Sequence, residues 1–497
     1  MKAVGGSPRV EPEPEERQTQ FRWFVTLWVM AFSFHYFEQQ PFDVGPVLLA
    51  GIPCLLFPSS VAAFAAFLLT GGLVVVIHLP AASNHLVLAL MVHLAFAAGA
   101  VVILRSRSGP AARRDGAWFV ARWVEMVRTP VGITLIVVYF FGVFHKLNTS
   151  FFDPSVSCAG SLLNDTFRFQ GLDPGRIPSG FVVAGALGTV VVEAMILVCL
   201  ALARWQRWGV LIGVAFHSLL TWASFYDFAG FVFALYVLLL PRETVMGVRR
   251  PETLRQAALA GWAAHAGVSF SAALSQSASS PLGLRWHTLQ VATWFFAVAP
   301  LVVPLVRASF SPAASRLAPP RWKLRPAWLL LVPVLAFLNG STSYLGLKTV
   351  ANYSMFSNLR TEEGRTNHLL PVVGALQIAD FQSDTVDVQD IDFPSGIRLG
   401  WFERLRGGFY WFQHQTRWAR TDTPVRVPWF ELRRAVLLWK DAGMRDIRIR
   451  YKRGGVEHEV PDAGVDPNLA EPLPPLARRL MAFRAIEDGN GPVLCRW

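Results

Sequence analysis

Charge is what this sequence has least of. Of 497 residues only 16% are Asp, Glu, Lys or Arg, against roughly 25% in a soluble protein. The shortage falls before about residue 350, where runs such as "VVVEAMILVCLALA" and "FVFALYVLLL" recur between short polar breaks. An ordinary water-soluble fold is excluded for that part, because runs near ~20 apolar residues match the thickness of a bilayer. Cysteine is also scarce. Cys54, Cys158, Cys199 and Cys495 show no CxxC spacing, which argues against a zinc site and against a disulfide framework. No GxSxG elbow, P-loop or strand-linked Rossmann glycine pattern occurs. His78, His85 and His93 are seven and eight apart, unlike the HxxxH and HxxHH boxes of membrane di-iron desaturases, so no metal is expected on them.

What remains is apolar and aromatic. Hydrophobic residues make up 53%, the mean hydropathy is +0.37, and there are 18 Trp. The expected fold is a polytopic α-helical membrane protein of about ten segments. Candidate spans are 22–38, 44–57, 60–79, 84–104, 129–146, 181–203, 208–225, 228–241, 287–306 and 326–346. The net charge of +12 does not indicate nucleic acid, since Lys and Arg concentrate in the loops 105–115, 204–207 and 242–250. By the positive-inside rule those loops are cytoplasmic and the 146–180 loop is outside. Loop 307–325 is basic as well, yet parity places it outside. Either span 287–306 is a hairpin or residues 263–278 also enter the membrane. A multi-pass protein of the cell (inner) membrane, with lipids as its partners, is the expected setting.

Three regions follow from this pattern. Residues 1–20 are Pro/Glu-rich without an apolar core and read as a flexible cytoplasmic tail. Residues 21–348 hold the membrane helices. Residues 360–497 read as a small soluble α+β domain. In that domain "WFELRRAVLLWKDAG" (429–443) is an amphipathic helix and "DIRIRYKRGGVEHEV" (446–460) a hairpin around Gly454-Gly455. The aromatic, basic stretch 401–420 suits either strands of a small core or a headgroup-binding surface.

Polar residues inside apolar runs are the candidate functional groups, since a charge near the bilayer centre costs about 2.5–3.5 kcal/mol. Glu193 and His217 each sit roughly 15 Å from the same membrane face at 1.5 Å per residue. They are expected to pair across neighbouring helices. "YFFGVFHKLN" (139–148) ends a span on His145 and Lys146 among Phe140, Phe141, Phe144, Phe151 and Phe152. A lysine at a helix end ordinarily snorkels to headgroups; one starved of water by aromatic neighbours loses its proton more readily, and a neutral amine is a general base. His85 and Asn84, at the start of span 84–104, are expected near the same outer surface.

"NHLVLAL" (84–90), "YFFGVFHKLN" (139–148), "VVEAMILVCLALARWQRWG" (191–209) and "FHSLLTWASFYDFAGFVFALYVLL" (216–239) follow one another in an order that resembles the HTTM membrane domain. That domain is shared with vitamin K-dependent gamma-carboxylase, and the resemblance covers roughly residues 20–345. It implies that Lys146 deprotonates a reduced, vitamin K-like quinone with His85 in support. Oxygen chemistry on the quinone then yields a strong base that removes a glutamate γ-proton before CO2 adds. Asn84, Glu193 and His217 match by position, and His145 stands where the motif has a second lysine. The C-terminal region does not resemble the carboxylase's lumenal part. The competing expectation is a non-enzymatic transporter or scaffold, in which Lys146 stays solvated.

Overall fold

The computed structural model describes residues 14–39; 45–106 except 81; 116–275 except 174, 176 and 224; 281–392 except 316, 318–321, 324 and 355; 425–486 except 442; and 491–495. Helices dominate it. In chain order they are α1 (Pro14–Gln39), α2 (Gly45–Leu56), α3 (Val61–His78), α4 (Asn84–Arg105), α5 (Gly116–Phe144), α6 (Thr149–Phe152), α7 (Cys158–Phe169) and α8 (Ser179–Ala201). Then come α9 (Gln206–Leu220), α10 (Tyr226–Leu239), α11 (Arg242–Met246), α12 (Pro251–Leu274), α13 (Pro281–Ser309), α14 (Pro312–Ser315) and α15 (Leu331–Ser341).

Six helices are long and apolar enough to cross a membrane: α3, α4, α5, α8, α12 and residues Trp286–Ser309 of α13. Among the described residues six of the expected ten or so segments thus meet the length and composition of a span. The difference has a physical source. The apolar helices α2, α10 and Ala327–Ser341 are short, and 14 residues rise only about 21 Å against a hydrocarbon core of ~30 Å. Helix α1 starts at Pro14, inside the stretch read as a tail. Its Gln20 side chain is buried and donates to the carbonyls of Val237 and Leu240. Together α1 and α10 form the centre of the bundle, packed on each other and buried along most of their length. A helix apolar on every side belongs there.

Helix α12 resolves the parity conflict. It is a candidate span of its own, paired with α13 at a close approach where Gly261 faces the backbone of Phe296 and Ala297. A Cβ there would meet Ala297 N at 2.5 Å, so only glycine fits. Loop residues after α13 consequently return to the end of the bundle that carries the other basic loops. Trp322 donates to Ala201 O at the end of α8, and the Lys323 amide donates to Thr129 Oγ1 in the first half of α5. Arg22 at the start of α1 pairs with Glu252 at the start of α12.

The opposite end carries the C-terminal region. Its antiparallel sheet comprises β1 (Thr385–Asp392), β2 (Val425–Pro428), β3 (Arg448–Arg453) and β4 (Val456–Val460), in the order β2-β1-β3-β4. Helix α16 (Trp429–Asp441) packs Leu432, Val436 and Trp439 into the sheet's own core, and α17 (Pro475–Leu480) follows. The amphipathic helix and the Gly454-Gly455 hairpin both appear as expected; residues 401–420 lie outside the described residues. A disulfide joins Cys158 at the start of α7 to Cys495. This corrects the expectation from spacing: the partners are 337 residues apart in sequence, and no local pattern announces such a pair.

Candidate functional site

Lys146 lies just beyond α5 and folds back along it. Its Nζ donates to Gly142 O at 3.0 Å and to Glu193 Oε2 at 2.7 Å. Lys146 is 7% exposed. Gly142 lies against the pair, where a Cβ would sit in ordinary contact, 3.7 Å from Glu193 Oε2 and 4.0 Å from Lys146 Nζ. The expected Glu193–His217 pairing is therefore corrected. Depth along a helix can be counted from sequence, but the direction a side chain takes around the axis depends on which neighbour packs there. Helix α8 packs against both α5 and α9, and Glu193 takes α5.

His217 turns the other way. Its Nε2 lies 2.6 Å from Tyr139 Oη, which in turn lies 2.7 Å from Tyr236 Oη. With the Nε2 lone pair as acceptor, Tyr139 donates to His217 and accepts from Tyr236, leaving the hydroxyl row satisfied. All three are buried.

The sequence between Lys146 and α7 is tied down by the C-terminal region. Asn148 caps α6 by accepting from Phe151 N, and its Nδ2 donates to His145 O and Ser357 O. Thr149 N donates to Asn367 O, and Leu369 N to Leu147 O. His145 is fully buried between Phe141 and Tyr344, and neither ring nitrogen has a hydrogen-bond partner of good geometry. Asn84 is spent structurally as well, accepting from Tyr353 N at 2.6 Å. Segment 340–369 thus covers the end of α5, and Lys146 lies beneath it instead of at an open interface.

His85 joins a different group. Its Nε2 lies 2.8 Å from His35 Nδ1, 3.1 Å from Asp227 Oδ2 and 2.9 Å from Ser83 Oγ. His35 Nδ1 is 2.9 Å from the same Asp227 oxygen. Asp227 Oδ1 is occupied by Phe228 N, which aims Oδ2 at the two imidazoles. The ring of Phe228 separates the two polar groups, 6.3 Å from His85 on one side and 5.2 Å from His217 on the other. His78 and His93 stay apart from the cluster: His78 Nδ1 meets Val74 O, and His93 Nε2 accepts from Trp28.

The chain matches no family model, no curated protein and no solved structure. The site therefore has to be read from its own chemistry. The structure brings Lys146 and Glu193 together and places His85, His217, Asn84 and His145 in four other local arrangements. Sequence reasoning gave no role to His35, Asp227, Tyr139 or Tyr236. The available signal was an acid opening an otherwise apolar helix in "FYDFAGFVFALYVLL", the kind of residue that needs a partner in a bilayer.

Proposed function

We propose that this chain is a multi-pass membrane enzyme of the HTTM kind, related to vitamin K-dependent gamma-carboxylase, in which Lys146 takes a proton from a reduced quinone or a similar lipid-soluble substrate. The observation that carries the reading is the Lys146–Glu193 ion pair, 2.7 Å apart and nearly dry among apolar helices. Desolvating two charges is expensive, and an apolar pair of the same size is often no less stable. On this reading the pair sits in such a place because its proton is used. Passing the ammonium proton to the Glu193 carboxylate frees an amine; a quinol hydroxyl then gives its proton to Nζ, leaving a quinolate beside a restored ammonium. On the same reading the three shorter apolar helices also enter the bilayer beside the six long ones, the chain belongs to the cell membrane, and the basic-loop end faces the cytoplasm with the disulfide-bonded end outside.

The test uses the full chain in lipid. Supplied with reduced vitamin K in air, the protein should form the epoxide. Lys146→Ala should lower that rate by about 10²–10⁴-fold, with Glu193→Gln intermediate. Full turnover by Lys146→Ala removes the assigned role. A second reading, a transporter or scaffold with no reaction, is favoured by one fact: Lys146 has both Glu193 and Gly142 O as partners, as a helix lock would. Under that reading Lys146→Met with Glu193→Leu keeps the fold and leaves no activity to lose.

A further inference from the structure

Two buried imidazoles and one carboxylate meet where α1 ends and α4 and α10 begin, and protons alone do not satisfy them while Asp227 is ionised. His35 Nδ1, His85 Nε2 and Asp227 Oδ2 form a triangle with sides of 2.8, 2.9 and 3.1 Å. A ring nitrogen offers either one N–H or one lone pair. If both nitrogens carry protons and donate to Asp227, two N–H groups face each other across 2.8 Å. If only His85 carries one, the His35 lone pair faces the carboxylate oxygen at 2.9 Å. If only His35 carries one, the His85 lone pair faces that oxygen at 3.1 Å. With Asp227 ionised, every such assignment leaves one edge repulsive.

A cation removes the conflict, because all three lone pairs then point at one positive centre. The geometry points to a divalent first-row transition ion held by His35, His85 and Asp227. Six-coordinate donors about 2.1 Å from an ion are separated by roughly 3.0 Å along a shared face, which the observed triangle matches. Two imidazoles with one carboxylate select iron(II), zinc, manganese or cobalt over magnesium and calcium, which prefer oxygen donors. The three donors come from three separate helices or their caps. His35 lies near the end of α1, His85 in the first turn of α4 and Asp227 in the first turn of α10. The ion thus pins the two central helices to α4. Ser83 Oγ, 2.9 Å from His85 Nε2, stands within reach of one of the open positions. Phe231 stacks against the His85 ring at 5.6 Å, which fixes the imidazole plane and keeps the site dry. The site is independent of the Lys146–Glu193 pair, so either reading stands without the other.

The measurement is metal content of the full chain purified in detergent without chelators, followed by Co2+ titration of chelator-treated protein read in the visible spectrum. One ion per chain and a saturable Co2+ spectrum are expected. Asp227→Asn and His35→Ala should each weaken Co2+ binding by at least about tenfold, with the protein still monodisperse, whereas Lys146→Ala should bind as the parent does. Elemental analysis names the ion. Metal below about a tenth of an equivalent together with no Co2+ spectrum from folded parent protein, or full binding by both ligand variants, overturns the assignment.

Discussion

Glu431 and Arg434 are both completely buried in α16, joined by two hydrogen bonds, and Glu431 Oε2 also accepts from Phe483 N at 3.0 Å. Asp384 and Arg453 make a pair of similar length that is 46% and 39% exposed. The two cases separate sharply in energy. Removing one member of a buried pair strands the other, at about 3–5 kcal/mol; an exposed pair contributes under about 1 kcal/mol. Arg434→Met is therefore expected to lower the unfolding midpoint of the C-terminal region far more than Asp384→Asn, as read by denaturant titration of tryptophan fluorescence. At this scale the sequence is informative about which residues matter and silent about whom they meet. Lys146, Glu193, His85 and His217 all stand out as polar groups in apolar runs. Their partners depend on rotation about helix axes, which one sequence does not encode by itself.

Among elements, α5 shows how a span hides its length. The sequence suggests 129–146, but the helix begins at Gly116. Its first turns carry Arg122, Glu125 and Arg128, which depress any hydropathy window. In the fold Arg122 and Glu125 pair on the surface, and Arg128 donates to Leu238 O, with Leu240 O as a further acceptor. Charges that are answered locally do not stop a helix. The connection after α15 behaves differently, because it carries a buried lysine. Burial pushes the Lys348 ammonium down to about 8 from an ordinary value near 10.4. Between those two values the unfolded chain binds more protons than the folded one, so stability rises with pH across that window and is level below it. Unfolding followed from about pH 7 to pH 10.5 should show that rise, and Lys348→Met should flatten it. Glu362 points the opposite way. Burial alone would raise its carboxyl, but the Arg484 guanidinium beside it outweighs burial and holds it below the usual range.

For the whole molecule, the two ends of the bundle are chemically distinct. One gathers the basic loops, including Lys323 and the start of α12; the other gathers α6, α7 and the sheet. Hydropathy and charge gave most of this layout, including the helical class and the C-terminal hairpin. The side of the C-terminal domain was not legible, because it depends on whether α12 spans, and α12 is the least hydrophobic of the six candidates at a mean hydropathy of 1.2. Peptide mapping without reductant should recover Cys158 and Cys495 in one linked peptide that separates on reduction, and Cys54 and Cys199 as free thiols. Two separate peptides in protein made in an oxidising compartment would contradict the arrangement.

The tie between Cys158 and Cys495 also orders events during biogenesis. Every helix from α8 to α17 lies between the two sulfurs along the chain. Ribosome and insertion machinery must therefore have delivered all of them before the thiols can meet. A protein that stalls before Cys495 leaves Cys158 reduced, so the closed bond reports that every helix between the two sulfurs has been made.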